Sequence, residues 1–439
     1  MMKTFLSISL LTTVATTSFA QTFKRQRLDS LLNLLEQKDK YMGSIAVSQH
    51  GQLLYARAIG YSDIATGKKA DTNTKYRIGS ISKMFTASLM MRAVEEKKIT
   101  LTQTLDKYFP QVENASKITI REMLTHRSGI HNFTNDSSYL TYYSQPKTEK
   151  EMLAIIAATK SDFEPDTKAE YSNSNYVLLT YILQKIYGKP YAELLKTKIT
   201  QPLGLTNTYF GGKINLSANE CYSYTDTTGW EKATETDLSI PQGAGAIVAT
   251  PTDLTVFIEK LFTGKIVSSA TLDTMKVIRD KFGIGMLNFP YYEKWSYGHT
   301  GGIDGFQSMV VYFPEEQLCV AITGNGIGYP NNSILLFALS CYFDHDFPLP
   351  VLSNIKLSNE ALDQFTGTYG NAQIPIKIKI TRTGNKLVSQ GTGQAPLTME
   401  TITATTFSFD PAGIILEFDV AKKQMIVKQG GHEFPFTKE

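Results

Sequence analysis

The sequence predicts an α+β fold: an antiparallel sheet flanked by helices, with a helical insertion between its halves, followed by a small all-β C-terminal domain. Three observations carry this. Strand-like runs near residues 44–59 and 282–323 bracket a long stretch dominated by helical patterns. The composition shifts after Pro348 and Pro350. From about Ala361 the chain is punctuated by glycine and alternates apolar with polar residues, as short strands require.

In chain order, residues 22–39 carry Leu28, Leu31, Leu32, Leu34 and Leu35 at the spacing of an amphipathic helix. Residues 44–48 and 52–59 flank His50-Gly51, a hairpin signal. Residues 84–96 contain no Gly or Pro and read as a mostly buried helix ending in charged residues. Further helices are expected at 174–187 and 253–262, strands at 282–286, 308–312 and 318–323, and a closing helix at 332–343. Near the C-terminus Ile374, Ile376, Ile378 and Ile380 alternate with Pro375, Lys377 and Lys379, and strands at 407–409 and 413–418 flank a turn at Asp410-Pro411-Ala412. The expected organisation is a leader (1–20), a large domain (21–347), a linker (348–360) and a C-terminal β domain (361–439) built as a barrel or sandwich.

The start Met1-Met2-Lys3, an apolar run over 5–15 and Ser18-Phe19-Ala20 read as a cleaved signal peptide, with the mature chain beginning near Gln21. No other segment approaches the roughly 18 apolar residues of a membrane span, and no cysteine follows the leader to accept a lipid. A periplasmic or secreted protein without stable membrane insertion is expected. The formal net charge of +3 falls to +2 once Lys3 is removed, and it is dispersed, which argues against nucleic acid. Three cysteines form at most one bridge, and Cys319, in the apolar run 318–322, is expected to be a buried free thiol. No metal-ligand spacing and no nucleotide-binding glycine motif occurs, so no cofactor is expected. The expected partner is a small-molecule or peptide substrate; oligomeric state is left open.

The chemistry concentrates in three ordered motifs: Ser80-Ile81-Ser82-Lys83, Tyr171-Ser172-Asn173 and His299-Thr300-Gly301-Gly302. Ser-x-x-Lys also occurs at Ser144 and Ser353, but neither has an apolar helix behind it. Ser80 precedes such a helix, and Lys83 falls one turn on over the same face. A serine hydroxyl is a poor nucleophile near neutral pH, so it needs a base and a positive environment. A helix N-terminus and a neighbouring amine supply both. Taken alone, Ser80 would be an ordinary N-cap serine.

These motifs, with the segments Leu124-Thr-His-Arg-Ser-Gly-Ile130, Gln201-Pro-Leu-Gly-Leu205 and 244–254, resemble the serine β-lactamase and penicillin-binding protein superfamily over roughly residues 25–345. The similarity is to the branch holding class C β-lactamases, DD-peptidases, D-aminopeptidases and esterases. It implies a β-lactamase/transpeptidase-like fold, and the C-terminal segment is similar to the lipocalin-like modules of some relatives. It also implies Ser80 as nucleophile, Lys83 and Tyr171 as the proton-transfer pair, and Asn173, His299 and Thr300 as substrate-binding residues. The N–H groups of Ser80 and Gly302 would form an oxyanion hole. An adjacent ammonium would favour a Tyr171 phenolate. His299 departs from the Lys-Thr-Gly form of class C β-lactamases and is fractionally cationic near neutrality, so carboxylate recognition is expected to strengthen as pH falls through about 6–7. His126 is expected to be structural and His131 a loop residue.

The leading expectation is an exported serine hydrolase acting through a Ser80 acyl-enzyme on D-amino-acid peptides, as a DD-carboxypeptidase or D-aminopeptidase, or on small esters. A class C-like β-lactamase is the alternative, and a catalytically idle binding protein the third.

Overall fold

The computed structural model describes residues 23–226, 229–353, 355–371, 375–409, 413–429 and 432–439. The leader, Ile374 and the turn at 410–412 lie outside the described residues.

Leucines on one face of α1 (Arg25–Gln37) are fully buried. The strands β1 (Tyr41–Gln49) and β2 (Gln52–Ile59) form the expected hairpin, turning at His50 and Gly51, both with positive φ. Helix α2 (Ser82–Glu95), which follows Ser80, is buried on nearly every side, as its run of Met, Phe, Ala and Leu dictates. Then come α3 (Asn173–Tyr187) and α4 (Pro251–Phe262), the latter opened by a Thr250 cap and Pro251 at its first position. Strands β3 (Leu287–Tyr291), β4 (Lys294–Ile303), β5 (Phe306–Phe313) and β6 (Leu318–Ile327) and helix α5 (Asn331–Phe343) complete the unit.

The main sheet runs β3-β4-β5-β6-β1-β2, antiparallel along this path, so strands from both ends of the unit meet where β6 pairs with β1. Alternation along the strands separates two cores. Met309, Val311, Val320 and Ile322 face α1 and α5, whereas Val310, Tyr312, Cys319 and Ala321 face the helical insertion with α2, α3 and α4. All three cysteines are buried and free.

The strand expected at 282–286 is not formed; the first strand of this region starts at Leu287. Gly285 adopts φ +69, and a Cβ there would lie 2.3 Å from that of Ala87, so this segment is an irregular loop pressed onto α2.

Beyond the linker, nine strands between Gly367 and Lys438 form a separate antiparallel sheet around its own core of Leu362, Phe365, Phe407 and Phe418. Residues 397–401 bond to Lys386–Gly391 through their first half and to Thr406–Phe409 through their second, which nearly closes the sheet into a barrel.

Candidate active site

Ser80 sits in a single 3₁₀ turn, Gly79–Ile81, that feeds directly into α2. Gly79 takes φ +50, and a Cβ on it would stand 2.7 Å from the Gly302 nitrogen, so glycine lets the turn lie flat against β4. Gly301 is equally constrained: its Cβ would meet the Ile78 carbonyl at 2.0 Å. At Gly302 a Cβ would have no neighbour closer than 3.9 Å, and that residue faces the cleft instead.

Lys83 is fully buried, and its Nζ lies 3.1 Å from Ser80 Oγ, 2.8 Å from Asn173 Oδ1 and 2.8 Å from the Ala244 carbonyl. The Tyr171 hydroxyl donates to Ser80 Oγ at 2.7 Å. Asn173 opens α3 with its orientation fixed twice: its N–H donates to Asn132 Oδ1 at 3.0 Å and its Nδ2 to Thr134 Oγ1 at 3.2 Å. The carbonyl end of its amide is thereby turned to Lys83. Thus Lys83 and Tyr171 converge on the Ser80 hydroxyl, and Asn173, 93 positions from Ser80 in sequence, holds Lys83.

Burial governs the protonation states. It holds the Lys83 amine well below its ordinary value and pushes the Tyr171 phenol up, with the bond to Ser80 opposing the latter shift. The phenolate expected from an adjacent ammonium is therefore corrected: burial raises the Tyr171 phenol above its ordinary value, so it keeps its proton near neutral pH. His299 is also buried; burial, with Lys83 contributing, lowers its imidazole to about 4. The expected titration of His299 through pH 6–7 is corrected in the same way, since the ring stays neutral there. Its Nδ1 lies 2.5 Å from the Thr300 carbonyl, which can only accept, so Nδ1 carries the proton and Nε2 is bare. Thr300 is half-buried on β4 opposite Met309.

Other contributors were hidden in the sequence. Ala244 belongs to a segment noted for resemblance, but its working atom is a backbone oxygen, which no side-chain motif reveals. His126, with φ +57, accepts the Ser172 N–H at Nδ1 and stacks on the Tyr171 ring at 4.5 Å, so it braces the phenol. His131 lies outside this cluster, between Asp162 and Asp136. Among the described residues no cluster of three His, Cys, Asp or Glu is placed to hold a metal ion.

The site opens into a cleft of about 830 Å³, with Ser80, Asn173 and Gly302 at its base and Phe133, Tyr139 and Phe306 among its apolar walls. The charged side chains lining it, among the described residues, are Asp226, Glu231, Asp304 and Lys232. The Lys232 ammonium sits over the Tyr222 ring, 4.0 Å from its centroid.

Comparison with known proteins agrees with this architecture. Residues 32–333 match the Beta-lactamase family. The teichoic acid D-alanine hydrolase of Staphylococcus aureus strain MRSA252 is 28% identical over 305 residues, 68% of this chain and 72% of that protein. The D-amino acid amidase from Ochrobactrum anthropi SV3, solved with D-phenylalanine, superposes with a TM-score of 0.65 at 23% identity, over 73% of this chain and 99% of its own. The octameric penicillin-binding protein homologue from Pyrococcus abyssi superposes with a TM-score of 0.67 at 22% identity over 94% of this chain and 99% of its own, a match long enough to take in the C-terminal barrel. With a family match over most of its catalytic unit and a fold shared with these structures, the chain belongs to the Beta-lactamase family of serine hydrolases.

Proposed function

We propose that this protein is an exported hydrolase that cleaves D-aminoacyl amides or esters through a Ser80 acyl-enzyme. The observation that carries the reading is the contact of Ser80 Oγ with both Lys83 Nζ and the Tyr171 hydroxyl. A neutral Lys83 amine has two N–H bonds and one lone pair. The Asn173 and Ala244 oxygens take the two N–H bonds, and the lone pair is left for the Ser80 proton. As Oγ bonds to the substrate carbonyl carbon, its proton passes to Lys83. The oxyanion is held by the N–H groups of Ser80 and Gly302. Collapse expels the amine or alcohol with a proton relayed by Tyr171, and water then releases the acyl group with the same residues in reverse.

Charge selects the substrate class. A neutral His299 offers no fixed cation to a carboxylate, which counts against both a β-lactam and a peptide with a free C-terminus. The names of the relatives, a D-alanine hydrolase and a D-amino acid amidase, point the same way. Export rests on the positively charged, apolar, small-residue pattern of residues 1–20; among the described residues no helix is long and apolar enough to cross a membrane.

The test is one panel on one sample: D-alanyl p-nitroanilide, D-alanyl methyl ester, their L-isomers, a D-Ala-D-Ala peptide and nitrocefin. Turnover of the D-aminoacyl compounds above all others supports the reading. Preference for nitrocefin or for the D-Ala-D-Ala peptide overturns it.

A further inference from the structure

We propose that His131, an imidazolium held between Asp162 and Asp136, is a positioning residue for the reaction, acting through Asn132 and Thr134 on Asn173 and so on Lys83. The inference deepens the acyl-enzyme reading above and rests on it: it names the charge that keeps the catalytic amine aimed at Ser80.

His131 stands just before Asn132 and the single 3₁₀ turn Phe133–Asn135, and Asp136 follows that turn. This short segment supplies both acceptors that orient Asn173: Asn132 Oδ1 takes its N–H at 3.0 Å, and Thr134 Oγ1 takes its Nδ2 at 3.2 Å. It is joined to the start of α3 once more, where Ser174 Oγ donates to the His131 carbonyl at 2.6 Å. The His131 ring closes the segment from outside. Its Nε2 meets Asp136 Oδ1 at 3.2 Å, and its Nδ1 meets Asp162 Oδ1 at 2.8 Å. Asp162 is itself fixed, since its N–H donates to the Gly129 carbonyl at 2.9 Å.

Ionised carboxylates only accept, and a neutral imidazole has one N–H to give. Both ring contacts are hydrogen bonds at once only when the ring carries two protons, so the geometry is that of an imidazolium. Asp162 and Asp136 are the charged groups facing the ring, and from α3 and the residue before it the neighbours are the Ser174 and Ser172 hydroxyls. Burial opposes the charge, yet the two carboxylates outweigh it and hold the imidazole above its ordinary value of 6.5. Loss of a proton turns a ring lone pair towards one carboxylate, and that contact becomes repulsive. The segment is then clasped from one side only, Asn173 is held less firmly, and Lys83 loses part of what aims its lone pair at Ser80. The better-ordered site therefore lies below the His131 titration, opposite in sense to the effect of Lys83.

The experiment measures kcat for p-nitrophenyl acetate against pH in the native chain, in His131→Gln and in Asp162→Asn. This ester needs the acyl-enzyme but no D-aminoacyl preference, so failure of that preference leaves the test intact. As pH rises through the His131 titration, above 6.5, native kcat is expected to fall about threefold to a lower plateau, with KM little changed because the base works in the transition state. His131→Gln should run at the lower plateau throughout, with no step. Asp162→Asn removes the nearer carboxylate and should move the step to lower pH. In the native chain NMR follows the His131 imidazole and the Asn173 side-chain amide, which should titrate together. A native profile with no step, a step that persists in His131→Gln or stays in place in Asp162→Asn, or an Asn173 amide that does not follow the imidazole overturns the role of His131 and leaves the acyl-enzyme standing. No hydrolysis of the ester overturns the acyl-enzyme reading; the joint NMR titration then decides the His131 link to Asn173 alone, supporting it if present and overturning it if absent.

Discussion

Arg77 and Asp304, 227 positions apart, meet as an ion pair at 2.9 Å with side chains only 2% and 1% exposed. Arg77 stands just before the turn that carries Ser80, and Asp304 just after Gly302. Arg77 also donates to Glu235 and to the Thr236 and Gly212 carbonyls, with its buried Nε–H left without a partner among the described residues, and Asp304 accepts from the Thr236 N–H and hydroxyl. The pair therefore staples the two backbone segments whose N–H groups are proposed to form the oxyanion hole.

Asp304→Asn keeps the shape and removes the charge. It is expected to lower kcat by about tenfold or more with little change in KM, because a displaced oxyanion donor acts on the transition state. A boronate that fills the oxyanion position should lose affinity by the same factor. Equal effects on KM and kcat, or an unchanged boronate affinity, would reduce the pair to a structural tie.

The nucleophile is tested by adduct mapping. An activated phosphonate should add once per chain, on the peptide containing Ser80, and Ser80→Ala should abolish both the adduct and hydrolysis. An adduct that survives in Ser80→Ala moves the assignment elsewhere.

Lys83 and Tyr171 separate by pH. Burial lowers Lys83 and raises Tyr171, so kcat/KM should rise with pH through the depressed lysine titration and hold on the alkaline side where a free phenol would ionise. Tyr171→Phe should slow turnover and keep the acid limb where it is, whereas Lys83→Arg, which cannot deprotonate, should cost about 10²–10⁴-fold. An acid limb that moves in Tyr171→Phe would make the phenol the base.

His299 supplies a stability test. Its native value, about 4, lies below the unfolded value of 6.5, so the unfolded chain binds the proton first and stability drops as pH falls from about 6.5 towards 4. The loss amounts to about 3 kcal/mol by the usual conversion. His299→Gln should flatten the dependence of the thermal midpoint on pH over this window, though His126, buried and depressed in the same sense, will keep part of it. A midpoint equally steep in His299→Gln would show that the ring is already charged in the native state.

Much of this was legible in the sequence, for identifiable reasons. The hairpin at His50-Gly51, the helix after Ser80 and the alternating strands each follow from short-range pattern, and each appears in the structure. What escaped depends on long-range burial. Residues 282–286 have strand-like composition, yet Gly285 is recruited to a positive φ by the Ala87 methyl it must pass. The charge of His299 could not be read because neutrality comes from burial beside Lys83, which local sequence does not record. Arg77 and Asp304 look like two ordinary surface charges until the fold brings them together.

The seam between β1 and β6 bears on how the protein is made. Residues 41–49 pair early with β2 but lack their second sheet neighbour until residues 318–327 have been synthesised, so the middle of the sheet closes only after most of the chain exists. Pairings this distant make for slow folding. A growing chain would carry an unclosed hairpin edge for most of its synthesis, an open edge on which other strands could pair.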